Sequence, residues 1–294
     1  MVNNYGMLEL SIIIVNYNAE DLLLNCIKSI YECENSITFE IIVIDNNSKD
    51  NSRKSICAKF SQIKWIQNDT NLGFAAANNQ GIEASQGKYC MLLNNDTLIS
   101  DYALERLVKF IDNDETIGAV GPRILNTDGS LQLSCRRGLP NLMNSVGYFS
   151  KIYKVFPNNK ALGSYTMSYI SDSISHQVEA LSGAAMVIRK EILCKLNGLD
   201  ENFFMHFEDI DLCLRIGNLG YKLFYVHNSK IVHLKGQSSK LRSKKVIEDY
   251  NASLKYYYKK NYEKKKSFLS NILVYIFIWL RKILSITVYN IKQL

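Results

Sequence analysis

Three carboxylates sit among large apolar side chains in Phe203-Phe204-Met205-His206-Phe207-Glu208-Asp209-Ile210-Asp211-Leu212-Cys213-Leu214-Arg215. Ionised groups in a dry setting must be paired, coordinate a cation or take up a proton, and the last two are routes to metal and general-base chemistry. The competing reading is a helix start whose dipole favours acids, with Asp211 pairing to Arg215 four residues on. For Asp211 taken alone, that reading is the stronger.

A second set of polar residues follows apolar runs: Asn16-Tyr17-Asn18, Asp45-Asn46-Asn47-Ser48 and Asn94-Asn95-Asp96. Helix caps recruit these residue types, so one such tip reads as a cap. Three together read as a small-molecule site, because open α/β sheets bind ligands outside the carboxyl ends of their strands. No G-x-G-x-x-G follows the first run and no G-x-x-x-x-G-K-[ST] occurs anywhere, so a nucleotide would have to be held by other means. A carboxylate-bound Mg²⁺ or Mn²⁺ that neutralises a diphosphate is one such means, with Asp96 as its ligand. Asp45 is placed to accept hydrogen bonds from a base or ribose.

Positioning these groups needs strands. Leu10 to Val15 and Phe39 to Ile44 are short, β-branched and nearly all apolar, as parallel strands covered on both faces should be. Between them Leu22, Leu23, Cys26, Ile27 and Ile30 recur at helical spacing, completing a βαβ unit. Further strands are predicted at 63–66, 89–93, 118–121, 184–188 and 221–226, with a helix from Ala75 to Ala84 that ends near Gly87. From about Asn126 to Ser175 the pattern weakens, and two of the three prolines fall there. That stretch reads as a long excursion able to cover a substrate.

With 294 residues, 47% of them hydrophobic, the chain can bury one large core. The fold class is therefore α/β, one globular domain with appendages. Seven scattered cysteines without a C-x-x-C pair read as reduced cytoplasmic thiols. Residues 1–10 lack the basic flank of a targeting peptide. Charge is uneven: residues 240–266 hold ten Lys/Arg against three acids, a net of +7 that equals the whole-chain charge, whereas residues 1–239 sum to −3.

Behind that basic run, the uninterrupted apolar stretch Ile272 to Leu280 is well short of the roughly 20 residues a spanning helix needs, and Arg281-Lys282 separates it from the apolar residues beyond. A helix lying on the bilayer surface is the expectation, drawn by anionic headgroups and shallowly buried through Trp, Tyr and Phe. The competing reading is a terminal helix packed on the body or on a second subunit of a homo-oligomer. No recognised nucleic-acid-binding fold accompanies the basic run, so nucleic acid is not an expected partner.

Taken in order, Ser11 to Asn18, Ile44 to Ser48, Asn71-Leu72-Gly73-Phe74-Ala75, Leu93 to Thr97 and Phe203 to Arg215 resemble the successive motifs of glycosyltransferase family 2. The subgroup it is most similar to is the rhamnosyltransferase-like enzymes of bacterial cell-surface polysaccharide assembly, O-antigen included. The resemblance covers roughly residues 8–240. It implies a GT-A fold, with a mostly parallel central sheet flanked by helices, in a domain over 1–239. Within that domain, residues up to about 100 would form a nucleotide-binding half and 101–239 an acceptor and catalytic half, with a helical tail at 240–294. It also implies a nucleotide-diphosphate sugar donor, a saccharide or lipid-linked acceptor, a divalent metal (Mn²⁺ or Mg²⁺) and inversion at the anomeric carbon.

Carried over by residue, the resemblance implies Asp209 as catalytic base with Glu208 beside it, and Asp96 with His233 as metal ligands. Asn16, Asn18, Asp45, Asn71, Gly73, Asn95, Asp96 and Gly183 become the donor side. Asn94 departs from the family's D-x-D, and a neutral amide gives a cation less charge. Outside the resemblance His233 reads as a buried structural histidine, as do His206 and His227. Two rival functions are a non-catalytic scaffold of a polysaccharide assembly complex, supported by Asn94, and a nucleotidyltransferase, which lacks its basic Gly-rich loop here. The expected location is the cytoplasmic face of the plasma membrane, held peripherally by the tail.

Overall fold

The apolar runs pair as their β-branched composition requires. A computed structural model describes residues 8–33, 36–156, 158–234 and 244–291. In chain order the first half contains β1 (Leu10–Asn16), α1 (Glu20–Cys33), β2 (Phe39–Asp45), α2 (Ser52–Lys59), β3 (Lys64–Gln67), α3 (Phe74–Ala84) and β4 (Tyr89–Asn94). After these come β5 (Thr97–Ile99), α4 (Ala103–Asp112) and β6 (Ile117–Leu125). The excursion holds β7 (Arg136–Arg137), α5 (Leu142–Phe149) and α6 (Lys160–Gly163), and β8 (His176–Val178) and β9 (Ala180–Leu181) follow it. The remainder is β10 (Ala185–Arg189), α7 (Lys190–Leu196), α8 (Glu208–Asn218), β11 (Lys222–His233), α9 (Lys244–Asn261) and α10 (Phe268–Ile291).

The main sheet runs β3-β2-β1-β4-β10-β6-β11-β5, with β8 also on β11. Only β10, β5 and β8 oppose the others, so six of its nine strands share one direction and the mostly parallel sheet is as expected. Strands β1, β2 and β4 are buried on both faces between helices. α1 seals one side with Leu23, Cys26, Ile27 and Ile30, and α4 another with Leu104, Leu107, Val108 and Ile111.

Three expectations change. The strand expected to stop at Val226 runs on to His233: pairing jumps from Val226↔Pro122 to Lys230↔Arg123, so His227-Asn228-Ser229 bulge out and the strand resumes. The excursion is folded rather than irregular, and α5 opens on a reciprocal Asn141–Asn144 cap. Arg281-Lys282 does not break α10, a 24-residue helix long and apolar enough to cross a membrane and scarcely buried.

The basic segment also divides. Lys260 pairs with Asp200 at 2.7 Å and with Asp211 at 2.8 Å, which ties α9 to α8. α10 is fastened to α9 by Tyr258–Asn271 (2.6 Å), Tyr275–Glu263 (2.8 Å) and Arg281–Asn251 (2.8 Å). Of the residues read above, 1–7, two of the ten cations of the basic run, Lys240 and Arg242, and 292–294 of the tail lie outside the described residues.

Candidate functional site

Parallel pairing in register sets Asn16 opposite Asp45 and Val15 opposite Asn94, so the three polar tips share one edge. Asp45 is 1% exposed. Its carboxylate accepts from Asn16 Nδ2, the Ser48 N–H and Gln67 Nε2, each at 2.8 Å. Asn16 in turn accepts from Asn95 Nδ2 at 3.2 Å. Asn18, at φ 49°, gives its N–H to Ser48 Oγ and accepts from the Lys49 N–H. A carboxylate offers about four lone-pair sites, so Asp45 keeps capacity for one outside donor.

Gly73 fastens this edge to the loop before Glu208. Its φ is +86°, and a Cβ there would lie 2.7 Å from the Phe204 carbonyl oxygen. Asn71 Oδ1 accepts the Gly73 N–H at 3.0 Å, Asn46 Nδ2 donates to the Gly73 carbonyl at 3.1 Å, and the Phe74 N–H donates to Phe204 O at 2.9 Å. The loop ends on two consecutive non-glycine residues at positive φ, His206 (71°) and Phe207 (70°). Such backbone costs about 1–3 kcal/mol per residue and persists only where packing over-determines it. Here Phe207 packs on Tyr250 and Tyr257.

The strand extension delivers His233 to Asp96, with Nε2 and Oδ1 3.0 Å apart. Gln132 grips the same histidine twice: Nε2 donates to the His233 carbonyl at 2.9 Å, and Oε1 lies 3.0 Å from Nδ1. Because the amide nitrogen is committed to that carbonyl, its oxygen must accept, which puts the imidazole proton on Nδ1. In the neutral ring Nε2 then carries the lone pair; it lies 3.4 Å from Asn94 Nδ2 and faces a carboxylate oxygen. Two acceptors this close need a proton or cation between them. Their spacing suits adjacent ligands of a cation with bonds of about 2.1 Å. No group of three His, Cys, Asp or Glu that could hold a metal occurs among the described residues. Phosphate oxygens would complete the shell, as is usual for Mg²⁺.

Asp209 opens α8 beside the Gly183 turn. Its Oδ2 accepts from Arg137 Nη2 at 2.6 Å and from the Gly183 N–H at 3.0 Å, and its Oδ1 from the Ile210 N–H at 2.8 Å. Burial, the largest single influence, pulls the pKa of Arg137 down, but the Asp209 charge and hydrogen bond together with Tyr165 and Cys213 outweigh it and hold the guanidinium above its ordinary value. Glu208 is buried with Oε2 unpartnered, and desolvation first, then the Asp209 charge, pushes its carboxyl well above the usual range. The Asn94 N–H donates to the Ala184 carbonyl, next to Gly183, so the Asp209 and Asp96 clusters meet across β4 and β10. Asp211, fully buried, is paired with Arg215 (2.8 Å) and Lys260, which bears out its structural reading.

The family model of glycosyl transferase family 2 matches residues 11–178, more than half of the chain. The chain belongs to that family. This glycosyltransferase is 25% identical over 210 residues to an N-acetylglucosaminyl-diphospho-decaprenol L-rhamnosyltransferase of Mycobacterium tuberculosis, covering 68% of this chain and 67% of that one. It is 26% identical over 230 residues to rhamnosyltransferase WbbL of Escherichia coli K12, covering 76% and 82%. Both relatives are rhamnosyltransferases, in keeping with the subgroup expected. Mannosyltransferase PcManGT of Pyrobaculum calidifontis, solved in complex with GDP-Man and Mn²⁺, superposes with a TM-score of 0.60 at 16% identity over 90% of this chain and 67% of that one. The shared fold is GT-A.

Two residues of this glycosyltransferase's site escaped sequence reasoning, Gln132 and Arg137. Adjacent arginines in an otherwise Ser/Asn-rich stretch were the one available signal for Arg137. Gln132 offered none.

Proposed function

We propose that this chain is an inverting glycosyltransferase of cell-surface polysaccharide synthesis. It moves a sugar, rhamnose from dTDP-rhamnose in the first instance, from a nucleotide-diphosphate donor to a lipid-linked or saccharide acceptor. The observation that carries the reading is the meeting, at one sheet edge, of the Asp96–His233 acceptor pair and the Asp209 carboxylate. Asp96 and His233 would hold Mn²⁺ or Mg²⁺, which when bound neutralises the charge gathering on the leaving diphosphate.

The acceptor hydroxyl gives its proton to Asp209 while its oxygen attacks the anomeric carbon from the face opposite the diphosphate. The bond from that carbon to the diphosphate oxygen breaks, and the nucleoside diphosphate leaves with the electron pair. Asp209 is held for this by Arg137, the Gly183 N–H and the Ile210 N–H, with a lone pair to spare. Asn16, Asn18, Asp45, Asn71, Gly73 and Asn95 form the donor edge, with Asp45 facing the nucleoside. The printed name of the mycobacterial relative specifies a decaprenol-linked acceptor, and α10 gives this chain a means of meeting one at the cytoplasmic membrane face.

Thermal unfolding against a panel of nucleoside diphosphates and sugar nucleotides, each with and without Mn²⁺, tests the reading. Metal-dependent stabilisation by one nucleotide, lost in Asp96→Ala, is expected; no shift with any nucleotide would overturn it. Truncation before Phe268 should release the protein from anionic vesicles, and continued sedimentation would sink the membrane contact.

A further inference from the structure

Exposed apolar surface is concentrated on two segments that touch. Among the described residues twenty-five large apolar side chains are exposed; eleven lie on α10 and seven between Leu142 and Phe156. The segments meet where Phe149 packs on Phe277, ring centroids 5.8 Å apart. Apolar surface gathered in this way marks contact with another apolar phase rather than with water. Between α5, α9 and α10 lies a cleft of about 250 Å³, walled by Leu142, Leu254, Leu273, Val274, Phe277 and Ile278, with the exposed Lys266 also on its lining. A smaller cavity shares Pro140, Ser145, Leu254 and Phe277 with it and reaches Tyr165, Tyr250 and Phe207. Phe207 immediately precedes Glu208 and Asp209, and the Tyr165 carbonyl accepts the N–H of Gly138, the residue after Arg137. The two cavities therefore run from the apolar face toward the proposed base.

Among the described residues four guanidinium groups bury an N–H without a hydrogen-bond partner, at Arg136 Nε, Arg137 Nε, Arg215 Nη2 and Arg281 Nε, and of these Arg281 lies against the cleft. Arg281 stands 3.9 Å from the Tyr250 ring centroid and 4.8 Å from that of Phe149, two residues that line the inner cavity. Buried donors on a cation are costly to leave unmatched and suit an anionic oxygen.

From the continuity of the cleft with the Asp209 loop and the unmatched Nε of Arg281, whose Nη1 is already bonded to Asn251, we infer that this cleft seats the hydrocarbon chain of a polyisoprenoid diphosphate acceptor, with Arg281 Nε against its diphosphate. The inference rests on the reading that the acceptor is lipid-linked. It adds that the chain is recognised by protein as well as by the bilayer.

The probe is geranylgeranyl diphosphate bearing a diazirine on its terminal isoprene, photolysed with the full chain in neutral detergent and mapped by mass spectrometry. Label should fall on Pro140 to Phe149 and Leu273 to Ile278. Ser145→Trp and Val274→Trp, which plug the cleft from two different helices, should each cut labelling tenfold or more, whereas Ile276→Trp on the outer side of α10 should change it less than twofold. Arg281→Met should cut labelling by the diphosphate about tenfold and leave labelling by photoreactive geranylgeraniol within twofold. Retained nucleotide-dependent thermal stabilisation certifies that each variant is folded. Label spread over the outer face of α10 and indifferent to both plugs would overturn the inference in favour of bilayer contact alone. Crosslinks between two copies that exclude the probe would overturn it in favour of a subunit interface. Transfer to lipid-linked acceptors is assayed separately: its absence beside plug-sensitive labelling sinks the acceptor reading and leaves the cleft standing, and its presence beside plug-insensitive labelling does the reverse.

Discussion

The donor edge and the base side of this glycosyltransferase are built in opposite ways. The donor edge is made mainly by consecutive strand ends, and the hydrogen bonds around Asn16 and Asp45 join residues that end or directly follow β1, β2, β3 and β4, all before residue 97. The base side is assembled from afar. Arg137 reaches Asp209 across 72 residues, and Gln132 reaches His233 across 101. A site made of strand tips inherits its geometry from sheet register, whereas one made of distant loops depends on each long-range pair. Substitutions on the base side should therefore be the more damaging.

The sharpest test removes the base. Asp209→Asn keeps the shape of the side chain and its bond from Arg137 but cannot take a proton, so transfer should fall by about 10²–10⁴-fold. Nucleotide affinity, read by calorimetry, should stay within about twofold. A loss of binding equal to the loss of rate would mean that Asp209 belongs to the donor edge.

Arg137→Met breaks a pair whose members are 9% and 14% exposed. Stranding one partner of a buried pair costs about 3–5 kcal/mol, so the melting temperature should drop by about 6–20 °C at about 2–4 °C per kcal/mol. Asp45→Asn, at the donor edge, keeps an oxygen for the Ser48 N–H and the Gln67 amide, loses only the bond from Asn16 and strands no charge, so it should cost markedly less. Equal losses would erase the contrast between the two sides.

The same contrast explains what was legible in the sequence. Asn16, Asp45 and Asp96 announced themselves because each lies at the end of an apolar run. The segment holding Asp209 stood out by its carboxylates among apolar residues, but the roles of Asp209 and His233 came through motif order. The expected end of β11 at Val226 is too early because His227-Asn228-Ser229 have the composition of a turn, and only the ladder with β6 shows the strand resuming to place His233. Gln132 was invisible, since a lone glutamine in a polar stretch carries no periodicity. The full length of α10 is hidden because Arg281 looks like an interruption until Tyr250 and Phe149 are seen to stack on it.

Gln132→Leu asks whether the histidine clamp matters. It deletes both bonds to His233 and frees the ring to change tautomer, and loss of such an outer partner lowers metal affinity by about 10–100-fold. Mn²⁺ titration by electron paramagnetic resonance in the presence of nucleoside diphosphate reads this without turnover. An unchanged affinity would leave Gln132 as packing and the His233 ligand assignment without its strongest geometric support.

The smallest effect separates Glu208 from Asp209, which share a motif and a helix turn. The folded pKa of Glu208 is raised from 4.5 to about 8 by burial and then by the Asp209 charge. The protonated form therefore fits the fold, and the stability it contributes is fully present below pH 4.5 and lost as pH rises toward 8. Glu208→Gln has no proton to lose at this position. Its melting temperature should match the parent near pH 4 and exceed it by a few degrees near pH 8, while Asp209→Asn, which lifts only the smaller of the two burdens on Glu208 and gives up the ion pair with Arg137, should gain less. If Glu208→Gln instead lowers stability at every pH, Glu208 is ionised and paired in solution, and its burial as a neutral carboxyl beside Asp209 is wrong.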